Sequence, residues 1–308
     1  MNVARLVVSV PDSRLRDALG VPPEGVVILK WDLSGPAPTT SIDIVVPPYL
    51  GTVDLLAQLV GVTTRLVQSQ SVGYDGVEGA LPAGIVYANA ASVHETSTAE
   101  LALALILAAQ RGIPDFVRDA AARRWAPRFH PGLADHTVLL LGYGGVGQAI
   151  EARLENFETS IIRVARTERT DRRGPVYGVD AVGRLLERAD VVVVSVPLTA
   201  ATTNLVDRTF LSHMRDGSLL VNVARGAVAD TQALIAEAAT GRLRLALDVT
   251  NPEPLPEDHL FFEMANVLIS PHVGGATAAM RPRMARLVNE QITRMLDGEE
   301  PRNVVLRT

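Results

Sequence analysis

Apolar and polar residues alternate along this chain on two scales. Short apolar runs bounded by turn residues predict strands at ARLVVSV (4–10), GVVILKW (25–31), IDIVV (42–46), TRLVQS (64–69) and GIVYA (84–88). The turn signals VPPEG and VPPYLG fall between them. Residues 97–111, STAELALALILAAQR, are apolar nearly all round the helical wheel, which predicts a buried helix. A second series of strands is predicted at HTVLLLG (136–142), SIIRVA (160–165), ADVVVVSV (189–196), GSLLVNV (217–223), RLALDV (244–249) and NVLIS (266–270). A helix at 279–296 and a strand at PRNVV follow. Strands alternating with helical stretches are the pattern of parallel α/β architecture, and no fixed-period repeat or low-complexity linker interrupts it.

Composition removes several alternatives. A length of 308 residues suits two domains, and 47% hydrophobic content suits ordinary globular cores. The longest apolar run, LALALILAA at 101–109, is half what a membrane span needs. The opening MNVARLVVSV reads as a strand rather than a signal peptide. The absence of cysteine excludes disulfides, thiolate catalysis and cysteine-ligated metal, and no metal site is expected. A net charge of −5 argues against nucleic acid or anionic lipid as the main partner. A cytoplasmic protein with neither nucleic-acid nor membrane partners is the expectation.

One motif adds chemistry. The strand VLLL runs straight into GYGGVGQAIEARL, which sets Gly142, Gly144 and Gly147 at the spacing G-x-G-x-x-G ahead of a helix, with Gly145 and Val146 inside it. Glycine permits the tight turn, lets the backbone approach a pyrophosphate and packs the helix on the strand. The helix N-terminus then offers N–H groups and positive dipole to the phosphates. In this strand–turn–helix context the motif predicts a dinucleotide site. NAD sites usually carry Asp or Glu at the end of the second strand. Here that strand reads SIIRVARTERTDRR, and Arg166, Thr167 and Arg169 stand where the acid is expected. A 2′-phosphate repels a carboxylate and accepts a guanidinium fork, so NADP(H) is the preferred cofactor and NAD(H) the alternative. A solvated basic loop beside a tolerant NAD site accounts for the same residues.

Three later segments place polar groups just past predicted strands. VNVARGAVAD (221–230) carries Arg225, LDVTNPEPLP (247–256) carries Asp248 and Glu253, and NVLISPHVGGAT (266–277) carries His272. Ligands of open parallel sheets bind beyond the carboxyl ends of the strands. Taken singly, His272 is a packed histidine or an acid–base group, Arg225 a partner for a strand-end carboxylate, Glu253 a solvated loop residue and Asp248 a turn cap. Their joint occurrence behind a dinucleotide motif favours a catalytic set of Arg225, Glu253 and His272. The predicted fold class is α/β with two domains. A Rossmann-type parallel-sheet domain spans 95–278. A smaller, discontinuous, flavodoxin-like α/β domain spans 1–94 and is completed by the helix and strand of 279–308.

The motifs together resemble the D-isomer-specific 2-hydroxyacid dehydrogenases, and the resemblance covers essentially the whole chain. GYGGVG, the P-L-T of VPLTAATTN (196–204), NVARG, DVTNPEPLP and SPHVGG match in order and spacing. VQSQSVGYD (67–75) resembles the family's substrate loop, and NAASVHETSTAE (89–100) its entry to the long helix. The sequence departs from the family pattern at several points. Val72 stands for a commoner alanine and Glu158 for a frequent glycine. Thr250 and Asn251 replace the usual aromatic and acidic residues, and the second-strand acid is missing.

The resemblance implies reduction of a 2-oxoacid to the D-2-hydroxyacid, and the reverse, by hydride transfer with His272 as acid and base. Glu253 would orient His272 and stabilise its charged form. Arg225 would hold the substrate carboxylate and polarise the carbonyl. Ser71, Val72 and Gly73 would bind the same carboxylate through backbone N–H groups, and Tyr49 would line the substrate pocket. Asp248 would anchor the nicotinamide amide, with Pro197, Val223, Ala224, Gly274 and Gly275 as further cofactor contacts. Residues 1–94 and 279–308 would form the substrate domain and 95–278 the cofactor domain, with hinge closure bringing Gly73 toward Arg225. The resemblance also implies a homodimer, with 101–109 and the arm FVRDAAARRW (116–125) as its contact. His94 reads as structural or interdomain, and His130, His136, His213 and His259 as surface or loop residues. The alternative is a nucleotide-sensing co-repressor of the same fold, although no appended tail or added domain supports it. Formate-type enzymes differ in carrying glutamine at the Glu253 position, and long phosphoglycerate dehydrogenases in carrying a regulatory domain. Glyoxylate, hydroxypyruvate and bulkier oxoacids such as phenylpyruvate all remain open as substrate.

Overall fold

A computed structural model describes residues 6–51 and 53–308. The first two residues of the strand predicted at 4–10, and Thr52, lie outside the described residues. The chain opens with strand β1 (Leu6–Val10), helix α1 (Ser13–Leu19) and strand β2 (Val26–Lys30). Asp12 starts α1 because its carboxylate accepts a hydrogen bond from the Leu15 N–H at 2.8 Å. Strands β3 (Ile44–Val45), β4 (Leu66–Gln68) and β5 (Val86–Ala88) follow, with a 3₁₀ turn at Val53–Leu59. IDIVV yields only two paired residues in β3. Pro47 and Pro48 bring no N–H to a ladder, and the Asp43 side chain accepts from the Val7 N–H at 2.9 Å.

The middle of the chain begins with α2 (Glu95–Gln110), α3 (Ile113–Ala121), β6 (Thr137–Leu141), α4 (Gly145–Leu154) and β7 (Ser160–Val164). It continues through β8 (Arg169–Asp171), β9 (Gly174–Val176), α5 (Val182–Leu186), β10 (Val191–Val194) and α6 (Arg208–Ser212). It ends with β11 (Leu219–Asn222), α7 (Thr231–Ala239), β12 (Arg244–Leu247) and β13 (Val267–Ile269). Six of these strands form one sheet in the order β13-β12-β11-β10-β6-β7, and every pairing is parallel. Successive residues face opposite sides, so Leu139, Val192, Leu220 and Leu245 enter one core, while Val138, Val191, Leu219 and Ala246 enter another. That two-sided burial is why VVVV carries no polar alternation. The antiparallel pair β8–β9 was not expected from the sequence.

The long helix departs from the expectation of all-round burial. Ala99, Ala102, Leu105 and Ile106 are buried, whereas Leu103 and Leu107 are half-buried and Ala104 is exposed. The flank of α2 carrying Ala104 is the least covered.

After β13 the chain forms α8 (Met280–Leu296) and β14 (Val304–Arg307), which pairs antiparallel with β5. The first sheet therefore runs β14-β5-β4-β3-β1-β2, parallel except at β14. Two compact units result, one running to His94 and taking up again from Thr277, the other spanning Glu95–Ala276. Buried Gln291 on α8 donates to the Gln68 side chain at 2.7 Å and to the Arg302 carbonyl at 2.9 Å, joining helix, β4 and the approach to β14. Among the described residues no helix is long and apolar enough to cross a membrane.

Candidate active site

In the second unit the strand order reverses between β6 and β10, and the glycine-rich turn sits there. The three glycines of the G-x-G-x-x-G spacing do different work. Gly142 has φ +104°, and a Cβ there would lie 2.7 Å from the Ser195 carbonyl carbon. A Cβ on Gly147 would overlap the Gly142 carbonyl oxygen. Both positions are closed by the fold itself. Gly144 is different: it caps α4 with extended backbone and no side-chain hydrogen bond, and a Cβ on it would meet nothing within 4 Å. An uncapped helix N-terminus with open space in front of it fits a pyrophosphate.

Beneath this turn lies a buried polar network. Glu151 on α4 accepts from the Tyr143 hydroxyl and from the Arg163 guanidinium, with Nε at 2.9 and 3.0 Å from its two oxygens. Arg173, from the β8–β9 turn, lies 3.7 Å away. Burial pushes the Glu151 carboxyl up, but the hydrogen bonds and charges of Arg163, with Tyr143 and Arg173, outweigh it and hold the carboxyl below its usual range. Burial, with Glu151 beside it, pushes the Tyr143 hydroxyl up to about 12. Arg169 lies over the Tyr143 ring and donates to the Tyr143 carbonyl at 3.0 Å. Of the two arginines expected at the ribose, one is thus tied to the turn. Arg166 and Thr167 are exposed, and Arg166 has no carboxylate partner among the described residues.

The loops after β11, β12 and β13 carry the other predicted groups along adjacent strands. Asn222, buried at the end of β11, accepts from the Ala224 N–H at 3.0 Å and donates to the Arg225 carbonyl at 3.1 Å. It shapes the turn holding Val223, Ala224 and half-buried Arg225, whose guanidinium also donates to the Ala224 carbonyl at 2.8 Å. A side chain at Gly226 would overlap the Thr250 carbonyl, so the β11 and β12 loops touch backbone to backbone. Asp248 is 3% exposed and organises the third loop. Its carboxylate accepts from Ser270 Oγ at 2.7 Å, the Val273 N–H at 2.9 Å and the Gly274 N–H at 2.9 Å. Between those anchors His272 adopts φ +53°, with its N–H 2.7 Å from the Asp248 carbonyl. Its Nδ1 stands 2.5 Å from Glu253 Oε1. The structure thus brings Glu253 and His272 together, and Arg225 starts from the neighbouring strand. Pro197 lies past β10, its carbonyl accepting from Thr202 Oγ1 at 2.6 Å, and Gly275 is buried behind Gly274.

In the first unit, Ser71, Val72 and Gly73 follow β4. The Ser71 and Val72 carbonyls accept from the Ala90 N–H and from Asn89 Nδ2, each at 2.9 Å, while the Val72 and Gly73 N–H groups have no acceptor among the described residues. Tyr49 stacks on His94 with centroids 5.4 Å apart, and His94 Nε2 donates to the Gln70 carbonyl at 2.6 Å. His94 is therefore a buried brace within this unit. His259 caps a short 3₁₀ turn, His213 faces Glu187 at 3.7 Å, His136 meets the Ala134 carbonyl, and His130 packs edge-on against Phe116. Sequence reasoning missed Asn222, Ser270, Glu151 and Gln70. Asn222, Ser270 and Gln70 sit inside the NVARG, SPHVGG and VQSQSVGYD motifs, whereas Glu151 carried no signal.

The chain has recognisable relatives. The D-isomer specific 2-hydroxyacid dehydrogenase NAD binding domain matches residues 103–274. A glyoxylate reductase of Thermococcus litoralis is 34% identical over 255 residues, covering 78% of this chain and 76% of that protein. A D-isomer specific 2-hydroxyacid dehydrogenase from Xanthobacter autotrophicus Py2, solved with NADPH and MES, is 26% identical with a TM-score of 0.83, covering 99% of this chain and 98% of the other. An NADPH-dependent glyoxylate/hydroxypyruvate reductase of Sinorhizobium meliloti, solved with NADP and malonate, is 27% identical with a TM-score of 0.79, covering 98% and 97%.

Proposed function

This chain belongs to the D-isomer specific 2-hydroxyacid dehydrogenase family, and we propose that Arg225, Glu253 and His272 carry out its reaction. It is a nicotinamide-dependent oxidoreductase that interconverts a 2-oxoacid and a 2-hydroxyacid. The observation that carries the assignment is the 2.5 Å contact between His272 Nδ1 and Glu253 Oε1. It fixes the ring through one nitrogen and leaves Nε2 for the substrate. When bound, the nicotinamide supplies or takes back the hydride. In reduction, Nε2–H of His272 gives a proton to the carbonyl oxygen, while Glu253 keeps Nδ1 protonated and steadies the positive charge. Arg225 binds the substrate carboxylate with a guanidinium fork and draws electron density from the adjacent carbonyl. In the first unit, the Val72 and Gly73 N–H groups, which have no acceptor among the described residues, are the donors for a substrate carboxylate, with Ser71 before them and Tyr49 in the same unit lining the substrate pocket.

The Gly142–Gly147 turn holds the pyrophosphate at Gly144. Asp248 serves the nicotinamide by fixing the loop from His272 to Gly275 and through its remaining acceptor capacity, with Pro197, Val223 and Ala224 lining the cofactor. NADP(H) is the preferred cofactor, because Arg166 is exposed with no carboxylate partner among the described residues, and because the Sinorhizobium meliloti relative is NADPH-dependent. The substrate is a small 2-oxoacid, as it is for the glyoxylate reductases. The open flank of α2, together with exposed Phe116 and Val117 on α3 and exposed Trp125 beyond it, is the dimer contact. Hydroxypyruvate reduction with NADPH, with product configuration read by chiral chromatography, tests the reading. D-glycerate from the wild type and none from His272→Ala is the expected result; L-glycerate, or unchanged turnover in the variant, overturns it.

A further inference from the structure

The first unit contains a cavity of about 530 Å³ that is far larger than a two-carbon oxoacid requires. It is lined by Asp12 after β1, Asp32 after β2, Tyr49 after β3, Gln70 after β4, and Met280 and Arg281 at the start of α8. The parallel part of this sheet runs β5-β4-β3-β1-β2, so its strand order reverses between β1 and β3, where ligands of such sheets bind. The cavity shares Tyr49 with the substrate site and reaches Gln70, the residue before Ser71.

Its polar lining offers acceptor oxygens with capacity to spare. Gln70 is 6% exposed, and its Nε2 donates to the Pro47 carbonyl at 2.8 Å. That bond fixes the amide orientation and leaves Oε1 as an acceptor with no partner among the described residues. Asp12 spends Oδ1 on the Leu15 N–H, and Asp32 spends Oδ1 on the Ser34 N–H and hydroxyl, at 3.0 and 2.7 Å. The Ser34 hydrogen bonds hold Asp32 below the usual carboxylate range, so it is charged at neutral pH. Neither aspartate forms an ion pair within 4.0 Å among the described residues. Three acceptors, two of them anionic, thus face a cavity adjoining the residues that hold the oxoacid head.

We propose that this cavity receives the side chain of the substrate, and that the preferred substrate is a 2-oxoacid whose chain ends in a cationic hydrogen-bond donor, a guanidinium or ammonium group. The assignment rests on the oxidoreductase reading above. An apolar tail offers no donor to Gln70 Oε1 or to the second oxygens of Asp12 and Asp32, and a tail ending in carboxylate faces the two aspartates with like charge.

The test is a kcat/KM comparison of glyoxylate, 4-methyl-2-oxopentanoate, 2-oxoglutarate and 5-guanidino-2-oxopentanoate, each with NADPH. The guanidino compound is expected to exceed the apolar and acidic compounds by about tenfold or more, the scale of one charge-assisted hydrogen bond. In Asp32→Asn, and separately in Asp12→Asn, which keeps an oxygen for capping α1, the ratio of guanidino to apolar substrate is expected to fall by about threefold to tenfold. Reduction of glyoxylate together with a preference for the apolar or acidic tail overturns the side-chain assignment alone. A guanidino preference that neither substitution alters also overturns it. Failure to reduce any of the four overturns the oxidoreductase reading beneath it.

Discussion

Along the carboxyl edge of the second unit's sheet, the two ends are held to different degrees. Past β12 and β13, Asp248 accepts three hydrogen bonds, two of them from backbone N–H groups, and His272 is fixed at its backbone and at Nδ1. Past β7, Arg166 and Thr167 stand in solvent, and only Arg169 is tied back to the turn. Proton transfer fails when a donor is displaced by an ångström, whereas recognition of a phosphate by a long cation tolerates a range of positions. Rigidity is concentrated where the reaction would demand it. The Glu151 network lies at the β7 end and braces the glycine-rich turn beside it.

The sharpest way to break this contrast is at the clamped end. His272→Ala is expected to lower kcat by about 10²- to 10⁴-fold while cofactor binding, followed by fluorescence titration, survives. A loss confined to cofactor affinity instead would mean that the loop serves the nucleotide and not the proton. The next largest effect is expected beneath the turn. Glu151→Gln leaves Arg163 with a weakened partner in a buried setting, and a loss of about 3 kcal/mol should appear in denaturant unfolding near neutral pH. The Glu151 carboxyl is depressed in the folded state, so its stabilisation is present above the ordinary carboxylate range and disappears as pH falls through the depressed value. The gap between wild type and variant should therefore close in acid; a gap that persists there would point to packing rather than charge.

Glu253→Gln is expected to lower kcat by about tenfold, because the ring at Nδ1 loses the carboxylate that orients it. An unchanged kcat would show that the contact with His272 does not survive in turnover. The smallest effect belongs to the loose end. Arg166→Ala should lower the preference for NADPH over NADH by about tenfold at low salt and by less at physiological salt, because an exposed pair is screened. Equal use of both cofactors by the wild type would leave Arg166 as a solvated loop residue.

The sequence reveals these two ends unequally, and for a physical reason. Apolar runs such as VVVV and VLLL mark strands because burial on both faces leaves no polar positions. Arg225, Glu253 and His272 are visible because each sits immediately past such a run. The strand ends are less visible, since apolar residues continue into loops after pairing stops, as at Val196 past the end of β10. Glu151 reads as an ordinary surface residue of α4, because nothing local shows that Arg163 and Tyr143 will enclose it. The β8–β9 pair is hidden for a similar reason: RTD and GPV are mostly polar or proline-containing, and of these six residues only Val176 enters a core. Gln70 gains meaning only when Pro47, distant in sequence, fixes its amide.

The return of α8 and β14 to the first unit sets an order on synthesis. Strands β6 to β13 leave the ribosome as one continuous stretch, so the second unit can close its sheet while translation continues. The first unit must wait: β5 gains its antiparallel neighbour, and Gln68 its bond to Gln291, only after more than two hundred further residues have been made. A ribosome that stops shortly after β13 would release a nucleotide-binding unit already folded, beside a sheet whose β5 edge is free to pair with another chain. The last helix and strand thus act as a seal on the first unit, fitted only after every strand of the second has been made.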